Sequence, residues 1–479
     1  MRRYSTAVPR PLPLRGVIEG FYGPPWAPEA RLALLEFIAA HGMNAYVYAP
    51  KSDPRHRERW RERYDESESS HFRALAARAR ECEMRFGFAI SPGLDIEYHA
   101  DADRRALLAK LLPLLDDGVG WFVLALDDIP IRPALAADQA GLTTWLLDTL
   151  RARDPQVRLS LVPTEYVGTR PTEYLRDLAS RLPAEVEDVM WTGPTVCSPT
   201  ITPDEARSWA AALGGRRALL WDNYPVNDGP MERSLHLGPY RGRPAALSDE
   251  LAGVLCNPMV QPWASRVALA TAADYLRDPA SYDPGASWAG AVAEIGGGRA
   301  AALGAVAAAC ADGPLDRPEE LEAHRLVSDI ADRGDPRGAA IAAAREHFGA
   351  VKAASRAWSD APDDPLGAEL EPWLVQGRRE SAAALAALDL LEQLDVRGVV
   401  DGEQALLHAF GVIFRWDAAR AGDRKVFGPR FAIYPAIVQL ADGRTGLDVE
   451  LAVTEDRNAV DRLCRHALDV YREWTGTLG

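Results

Sequence analysis

Eight short apolar runs, separated by longer amphipathic segments, dominate the first half of this chain. The runs are rich in Val, Leu and Phe, as buried strands are. They occupy residues 14–20, 44–50, 85–91, 121–127, 157–163, 185–191, 217–223 and 251–257. Most of the intervening segments have apolar residues at helical spacing, and several end at Gly. This alternation is typical of a parallel sheet whose strands are joined by helices.

The number of these units predicts a (β/α)8 barrel over residues 14–280, preceded by a tail at 1–13. The seventh crossover, residues 224–250, holds too much Pro and Gly for a full helix and is predicted to be a long loop. A doubly wound open sheet would alternate in the same way. No GxGxxG or Walker A segment supports that alternative.

The composition changes after the barrel, at residues 278–287. Beyond this point the chain is Ala-rich, and about five segments of helical periodicity predict an all-α bundle over residues 285–479. Such a bundle is either structural or a dimerisation surface, so a homodimer through it is one expectation. Residues 425–446, with Pro, Gly and aromatic residues, form either a packed connector or a lid over an active site.

The net charge and the cysteine content limit the binding partners and the cellular compartment that we expect. The net charge of −15 argues against nucleic acid and anionic membranes, because phosphate binding needs a basic face. The 5 cysteines are scattered without a CxxC pair, which indicates neither a disulfide framework nor a zinc site. No apolar stretch is long enough for a membrane span, and Pro interrupts the basic N-terminus before a leader core forms. A cytoplasmic protein is therefore expected.

Two adjacent carboxylates, Asp127 and Asp128, end the fourth apolar run. Neighbouring carboxylates raise each other's cost of ionisation, and burial pushes a carboxyl pKa upward, so such a pair can hold a proton near neutral pH. Asp pairs also occur in surface turns and as helix caps.

Polar and aromatic side chains follow the other runs at the same end, where a (β/α)8 barrel has its active site. Aromatic side chains pack against sugar rings, amides and carboxylates bond to hydroxyls, and a carboxyl pair supplies acid and base for glycoside cleavage. No HxH, HExxH or GxSxG spacing is present, so a glycosidase without metal or other cofactor is predicted. The residues at the strand ends are Glu19 to Tyr22, Lys51, Asp53, Ser91, Asp95, Thr164 to Tyr166, Trp191, Thr192, Trp221 to Asn223, Asn227, Asp228 and Asn257.

Several motifs together resemble glycoside hydrolase family 84, over roughly residues 14–260. They are RGVIEGFYGPPW, GMNAYVYAPKSDPRHRERWRERY, SPGLDIEY, LALDDIP, PTEYVG, MWTGPTV, WDNYPVND, LGPYRGR and GVLCNP. That family holds protein O-GlcNAcases and bacterial β-N-acetylglucosaminidases, some of them called hyaluronidases. The resemblance implies a retaining exo-β-N-acetylglucosaminidase in which the acetamido oxygen of the substrate forms an oxazoline, so that no protein nucleophile is needed.

The resemblance also implies roles for individual residues. Asp127 would accept a hydrogen bond from the acetamido N–H, while Asp128 would protonate the leaving oxygen and later deprotonate water. Both reach one sugar only if the chain bends out of the strand, for which Ile129-Pro130 gives a reason. The remaining implied contacts are Tyr166 and Asn223 with the acetamido group, Trp221 with its methyl, and Gly20, Lys51, Asp228 and Asn257 with the ring hydroxyls.

Pro24 and Ser52 depart from the family pattern, which often has Arg and a second Asp there, and they bear on the aglycone preference more than on the chemistry. Two alternatives stay open. One is a hydrolase of a glycosylated small molecule or cell-wall fragment. The other is a sugar-binding or scaffolding barrel without turnover.

Overall fold

The computed structural model describes residues 11–186, 188–311, 313–315, 321–331, 337–395, 402–428, 432–433, 437–439, 445–447, 453–454 and 458–476. The chain divides into two compact units. The first contains the residues up to Gly229, Tyr240–Ser287 and Pro435–Val449. The second contains Pro230–Pro239, Trp288–Tyr434 and Glu450–Gly479.

Eight parallel strands close into a barrel in the first unit, which confirms the predicted fold. Each strand pairs with the next, and the last pairs with the first. The sixth strand is shorter than predicted, because the Val186 N–H bonds back to the Pro183 carbonyl in a turn. The strands are Leu14–Glu19 (β1), Ala45–Tyr48 (β2), Arg85–Ile90 (β3), Trp121–Ala125 (β4), Arg158–Val162 (β5), Val189–Trp191 (β6), Ala218–Asp222 (β7) and Leu251–Cys256 (β8).

Seven α-helices accompany these strands. Asp65 begins α2 with a reciprocal capping box, as Thr202 begins α6. The crossover between β7 and β8 has only the short 3₁₀ helices Gly229–Met231 and Ala245–Glu250, in agreement with the predicted loop. The helices are Pro28–Ala40 (α1), Glu66–Glu81 (α2), Asp101–Asp116 (α3), Leu135–Arg153 (α4), Glu173–Arg181 (α5), Pro203–Ala212 (α6) and Pro262–Arg277 (α7).

Alternate strand residues fill the barrel interior. On β4 these are Trp121, Val123 and Ala125, which belong to one buried apolar cluster with residues of the other strands. Because strand side chains alternate with a period of two, the next interior position after Ala125 is Asp127. The corresponding next positions on the other strands include Gly20, Lys51, Asn223 and Asn257. The functional end of the barrel is thus the continuation of its core.

The second unit is mainly helical, as predicted. One predicted helix over residues 289–313 is two, separated at Gly297, which has a left-handed backbone (φ +48°). A short helix at 322–331 was not predicted. The helices, of which the first begins within the first unit, are Pro284–Gly296 (α8), Ala300–Ala309 (α9), Glu322–Ala331 (α10), Arg337–Ala354 (α11), Pro365–Asp395 (α12), Gly402–Arg420 (α13) and Ala459–Gly476 (α14).

Four short strands form two antiparallel pairs after α13. Ala432–Ile433 (β9) pairs with Val453–Thr454 (β12), and Ile437–Gln439 (β10) with Thr445–Leu447 (β11). Much of the predicted 425–446 connector or lid lies outside the described residues, so its role stays a prediction. No described helix combines the length and apolarity that crossing a membrane requires.

Candidate active site

Asp127 and Asp128 lie where the chain leaves β4. Asp128 has a left-handed backbone (φ +56°), a conformation that residues other than Gly rarely adopt. A continued strand would direct the two side chains to opposite faces. The turn at Asp128 instead lets both carboxylates contact residues at the barrel mouth. The predicted bend of the chain out of β4 is therefore present, and it lies at Asp128, directly before Ile129-Pro130.

Asp127 is the buried member of the pair. Its Oδ2 accepts a 2.5 Å hydrogen bond from Nζ of Lys51, which is also buried. Burial acts to raise the pKa of Asp127, but the charge and hydrogen bond of Lys51, with the Arg57 guanidinium, hold it below its ordinary value. Asp127 is therefore an anion. The expectation of a raised pKa for this carboxyl was wrong.

The second oxygen of Asp127, Oδ1, is buried and has no hydrogen-bond partner among the described residues. A buried carboxylate oxygen of this kind is costly unless something donates to it. The site thus offers one strong acceptor to an N–H or O–H group of a ligand.

Asp128 is exposed and is held by two phenols. Tyr22 Oη donates to its Oδ2 at 3.0 Å, and Tyr166 Oη donates to its Oδ1 at 2.9 Å. Burial and the Asp128 charge both raise the pKa of each phenol, so both stay protonated donors. The carboxylate is accordingly fixed in orientation while it faces solvent.

An indole and two amides form a second part of the site. Trp221 Nε1 donates to Asn223 Oδ1 at 3.0 Å, and Asn257 Nδ2 donates to the same oxygen at 2.9 Å. Asn257 Oδ1 accepts from the Gly20 N–H at 3.1 Å. A Cβ at Gly20 would lie 2.1 Å from Cζ2 of Trp221, so only glycine fits beside the indole.

Asp228 connects the loop after β7 to the loop after β1. Its Oδ2 accepts from the Tyr22 N–H at 2.6 Å. Burial raises the pKa of Asp228, and the Asp128 charge acts in the same direction. Lys51 Nζ lies 5.6 Å from the centroid of the Trp221 ring. Lys51 thus connects Asp127 with the group formed by Trp221, Asn223 and Asn257. The residues to which the family resemblance gives a role are therefore brought together at one end of the barrel.

Other strand-end carboxylates lie elsewhere. Glu19 is buried and accepts from Arg31 and Tyr46, because it precedes Gly20 and faces the helix layer. Asp53 accepts from the phenols of Tyr48 and Tyr64. Asp95 accepts from Trp60 and Arg61. These three groups are structural.

Arg57 also belongs to the site, although it was not among the residues predicted from the sequence. Its guanidinium is buried, and Nη1 donates a hydrogen bond to Ser91 Oγ at 3.3 Å. Its charge acts to lower the pKa of both Asp127 and Tyr22. In the sequence it is one of several arginines at residues 55–63, which resemble a solvated charged segment.

A buried ion pair supports the wall formed by β7. Arg243 donates from Nε and Nη2 to Asp222 at 2.8 and 2.6 Å, and Tyr240 Oη donates at 2.5 Å. The Asp222 carbonyl accepts from the Asn257 N–H at 2.8 Å. Asp222 lies between Trp221 and Asn223, so this pair fixes the backbone that carries both. No group of three His, Cys, Asp or Glu in the described part of the chain is arranged to hold a metal ion.

Comparison with known proteins agrees with this geometry. The profile of the beta-N-acetylglucosaminidase family matches residues 15–308. The chain is 37% identical over 279 residues to the protein O-GlcNAcases of Rattus norvegicus and Mus musculus. That match covers 55% of this chain but only 30% of each relative. A solved structure of a mutant O-GlcNAc hydrolase from Thermobaculum terrenum is 31% identical, covers 97% of both chains and has a TM-score of 0.82.

Proposed function

Because the chain belongs to the β-N-acetylglucosaminidases of glycoside hydrolase family 84, we propose that it is a retaining exo-enzyme that removes terminal β-linked N-acetylglucosamine. One observation carries the proposal. Asp127 and Asp128 are adjacent, yet one is paired with Lys51 and the other is exposed between two phenols. Two carboxyl groups in such different surroundings can take different catalytic roles.

The nucleophile comes from the substrate. The acetamido carbonyl oxygen attacks the anomeric carbon, the bond to the leaving oxygen breaks, and an oxazoline forms. Asp127 Oδ1, the buried acceptor, takes a hydrogen bond from the acetamido N–H. The Asp127 charge stabilises the positive charge that develops on that group.

Asp128 moves the proton. It protonates the leaving oxygen as that bond breaks, and it then takes a proton from the water that opens the oxazoline. Its exposure supports contact with both the leaving group and water, while Tyr22 and Tyr166 keep it oriented.

The remaining residues bind the sugar. Tyr166 and Asn223 contact the acetamido group, and Trp221 lines the pocket for its methyl. The close approach of Trp221 to Gly20 supports a fixed position for this indole. The ring hydroxyls are assigned to Gly20, Lys51, Asp228 and Asn257. This chemistry uses no metal or cofactor, so a chelator should leave the activity unchanged.

Kinetics on three 4-nitrophenyl β-glycosides test the proposal. The N-acetylglucosamine glycoside should be cleaved about a hundredfold or more faster than the glucose glycoside, which lacks the internal nucleophile. The N-acetylgalactosamine glycoside reports on recognition of the ring hydroxyls. NMR should detect the β-anomer as first product, and equal rates with glucose or an inverted product would contradict the mechanism.

Asp128→Asn tests the proton donor. The rate should fall about 10²- to 10⁴-fold, with N-acetylglucosamine binding retained. The loss should be greatest for alkyl glycosides, whose leaving oxygen needs a proton most. A variant with full activity on alkyl glycosides would overturn the assignment.

The aglycone is proposed to be a protein, because the rat and mouse relatives are named protein O-GlcNAcases. A glycosylated small molecule or cell-wall fragment is the second candidate, and a screen of glycosides with varied aglycones separates the two. A non-catalytic sugar-binding barrel has less support, since both aspartates are in place at the mouth.

The helical unit supports a homodimer. One face of α13 exposes large apolar side chains, as surfaces buried by a partner do. These are Leu406, Leu407, Phe410, Ile413 and Phe414. Sedimentation should detect a dimer that Phe414→Ser weakens, and a monomer at all concentrations would contradict it.

All 5 cysteines are free thiols, which supports a reducing, cytoplasmic location.

A further inference from the structure

Three large apolar side chains stand exposed at the mouth of the barrel. Leu94 is 50% exposed, Ile131 51% and Tyr22 46%. Within the described part of the barrel unit, no other large apolar side chain reaches this exposure. They lie on the loops after β3, β4 and β1, at the end that carries Asp128.

Contacts between these loops bring the three residues to the end of the barrel that carries Asp128. Tyr22 Oη donates to Asp128 at 3.0 Å. A Cβ at Gly93 would lie 3.3 Å from Cγ2 of Ile129, so the loops after β3 and β4 pack together. Leu94 follows Gly93, and Ile131 lies two residues after Ile129.

The loops that carry these side chains are held by hydrogen bonds. Beside Leu94, Asp95 accepts from Trp60 Nε1 at 2.7 Å and from Arg61 Nη1 at 2.6 Å. Arg132, beside Ile131, donates to Asp138 at 2.7 Å. Hydrogen bonds thus brace the loops that expose these apolar side chains. Exposed apolar patches commonly mark binding sites.

We propose that Leu94, Ile131 and the ring of Tyr22 form an aglycone platform that binds apolar residues flanking a glycosylated side chain in a polypeptide. The inference rests on the proposed function, since Asp128 marks the position of the leaving oxygen. The aglycone begins at that oxygen, and the three apolar side chains are exposed at the same end of the barrel.

The chemistry of the platform favours a polypeptide over other aglycones. A glycan presents hydroxyls that need polar partners, whereas leucine and isoleucine side chains offer none. Acidic flanking residues are disfavoured because the chain carries a net charge of −15 and Asp128 lies at the centre of the site. Neutral apolar flanking residues fit best.

Two glycopeptides test the platform. Both carry N-acetylglucosamine on one serine, and they differ only in their flanking residues, Val and Leu in one and Ser and Gln in the other. The wild-type enzyme should have a kcat/KM about tenfold or more higher for the apolar peptide. Leu94→Ser and Ile131→Ser should each reduce this ratio about fivefold, and the double variant should remove it.

Glu97→Ser is the matched control, because Glu97 is exposed on the same loop as Leu94 but is not apolar. It should keep the wild-type ratio. Unfolding midpoints near that of the wild type establish that each variant is folded.

The outcomes separate the platform from the function. If the 4-nitrophenyl glycoside is cleaved and both peptides react at equal rates, the platform alone is overturned. A preference for the apolar peptide that survives in the double variant also overturns it. Cleavage of that glycoside with neither peptide attacked also overturns the platform. No cleavage of any of the three substrates overturns the proposed function and the platform with it.

Discussion

The ammonium of Lys51 lies 2.5 Å from Oδ2 of Asp127, and both side chains are almost fully buried. The two residues are 76 positions apart in the chain. Without the cation, burial would push the carboxyl toward its neutral form. The proposed reaction needs the anion, so Lys51 controls the pH range in which the enzyme works.

Lys51→Met should therefore raise the pKa of Asp127. In the wild type the lowered pKa keeps Asp127 ionised into the acid range. In the variant Asp127 becomes protonated as pH falls, so kcat/KM on the acid side is lost at higher pH than in the wild type. Profiles of kcat/KM between about pH 4.5 and 8 measure this. Lys352→Met, at an exposed position, is the control, and an unchanged acid limb in Lys51→Met would refute the idea.

Tyr22→Phe removes one of the two hydrogen bonds to Asp128 and keeps the ring. Hydrogen bonds to charged groups contribute about 1.5–3 kcal/mol, less when exposed, so kcat/KM should fall about three- to tenfold. Combining it with Tyr166→Phe should cost more than either change alone. Tyr282→Phe is the control, because its phenol bonds to the Tyr240 carbonyl instead. Wild-type kinetics in the double variant would exclude an orienting role.

Gly20→Ala should displace the Trp221 indole. The added methyl would lie 2.1 Å from Cζ2, and overpacking of this kind costs about 1–3 kcal/mol. We expect lower stability and a kcat/KM reduced by about tenfold, since an indole moved by even 1 Å would disrupt the proposed contact with the acetamido methyl. Gly120→Ala has nothing within 4 Å and should leave both quantities near wild type. Urea unfolding and steady-state kinetics provide the readouts.

Arg243→Met leaves the Asp222 carboxylate buried without its cation. Breaking a buried pair in this way costs about 3–5 kcal/mol, and the backbone between Trp221 and Asn223 should loosen, so activity falls as well. Arg153 pairs with Asp116 at the surface, where Arg153→Met should change stability by about 0.5 kcal/mol or less. Denaturant unfolding distinguishes the two. Equal small effects would mean that the buried pair does not support the site.

Because of Lys110, the free energy of unfolding should increase as the pH rises through the alkaline range. Burial lowers the pKa of Lys110 to about 8, whereas an unfolded lysine titrates at about 10.4. Between these values the unfolded state holds the extra proton, so the free energy of unfolding increases as pH rises through this window. Lys110→Met should remove this increase, whereas Lys352→Met should not. A rise that persists in Lys110→Met would assign it to other groups.

Much of the fold follows from the sequence, because strands buried on both faces are continuous apolar runs that are easy to count. The same continuity conceals which residues face inward. Glu19 and Gly20 both end the first apolar run, and periodicity alone does not say which faces inward. Strand register directs Glu19 to Arg31 and Gly20 to Trp221. The pKa of Asp127 could not be predicted either, since its sign depends on a distant lysine. The short sixth strand depended on a turn at Pro183.

The left-handed backbone at Asp128 bears on how an inactive enzyme should be made. Asn tolerates that conformation better than other residues with a side chain, whereas Val or Ile would strain it and shift the end of β4. Asp128→Asn therefore removes the acid and preserves the turn. It is therefore the substitution suited to trapping the proposed glycoprotein substrates for isolation.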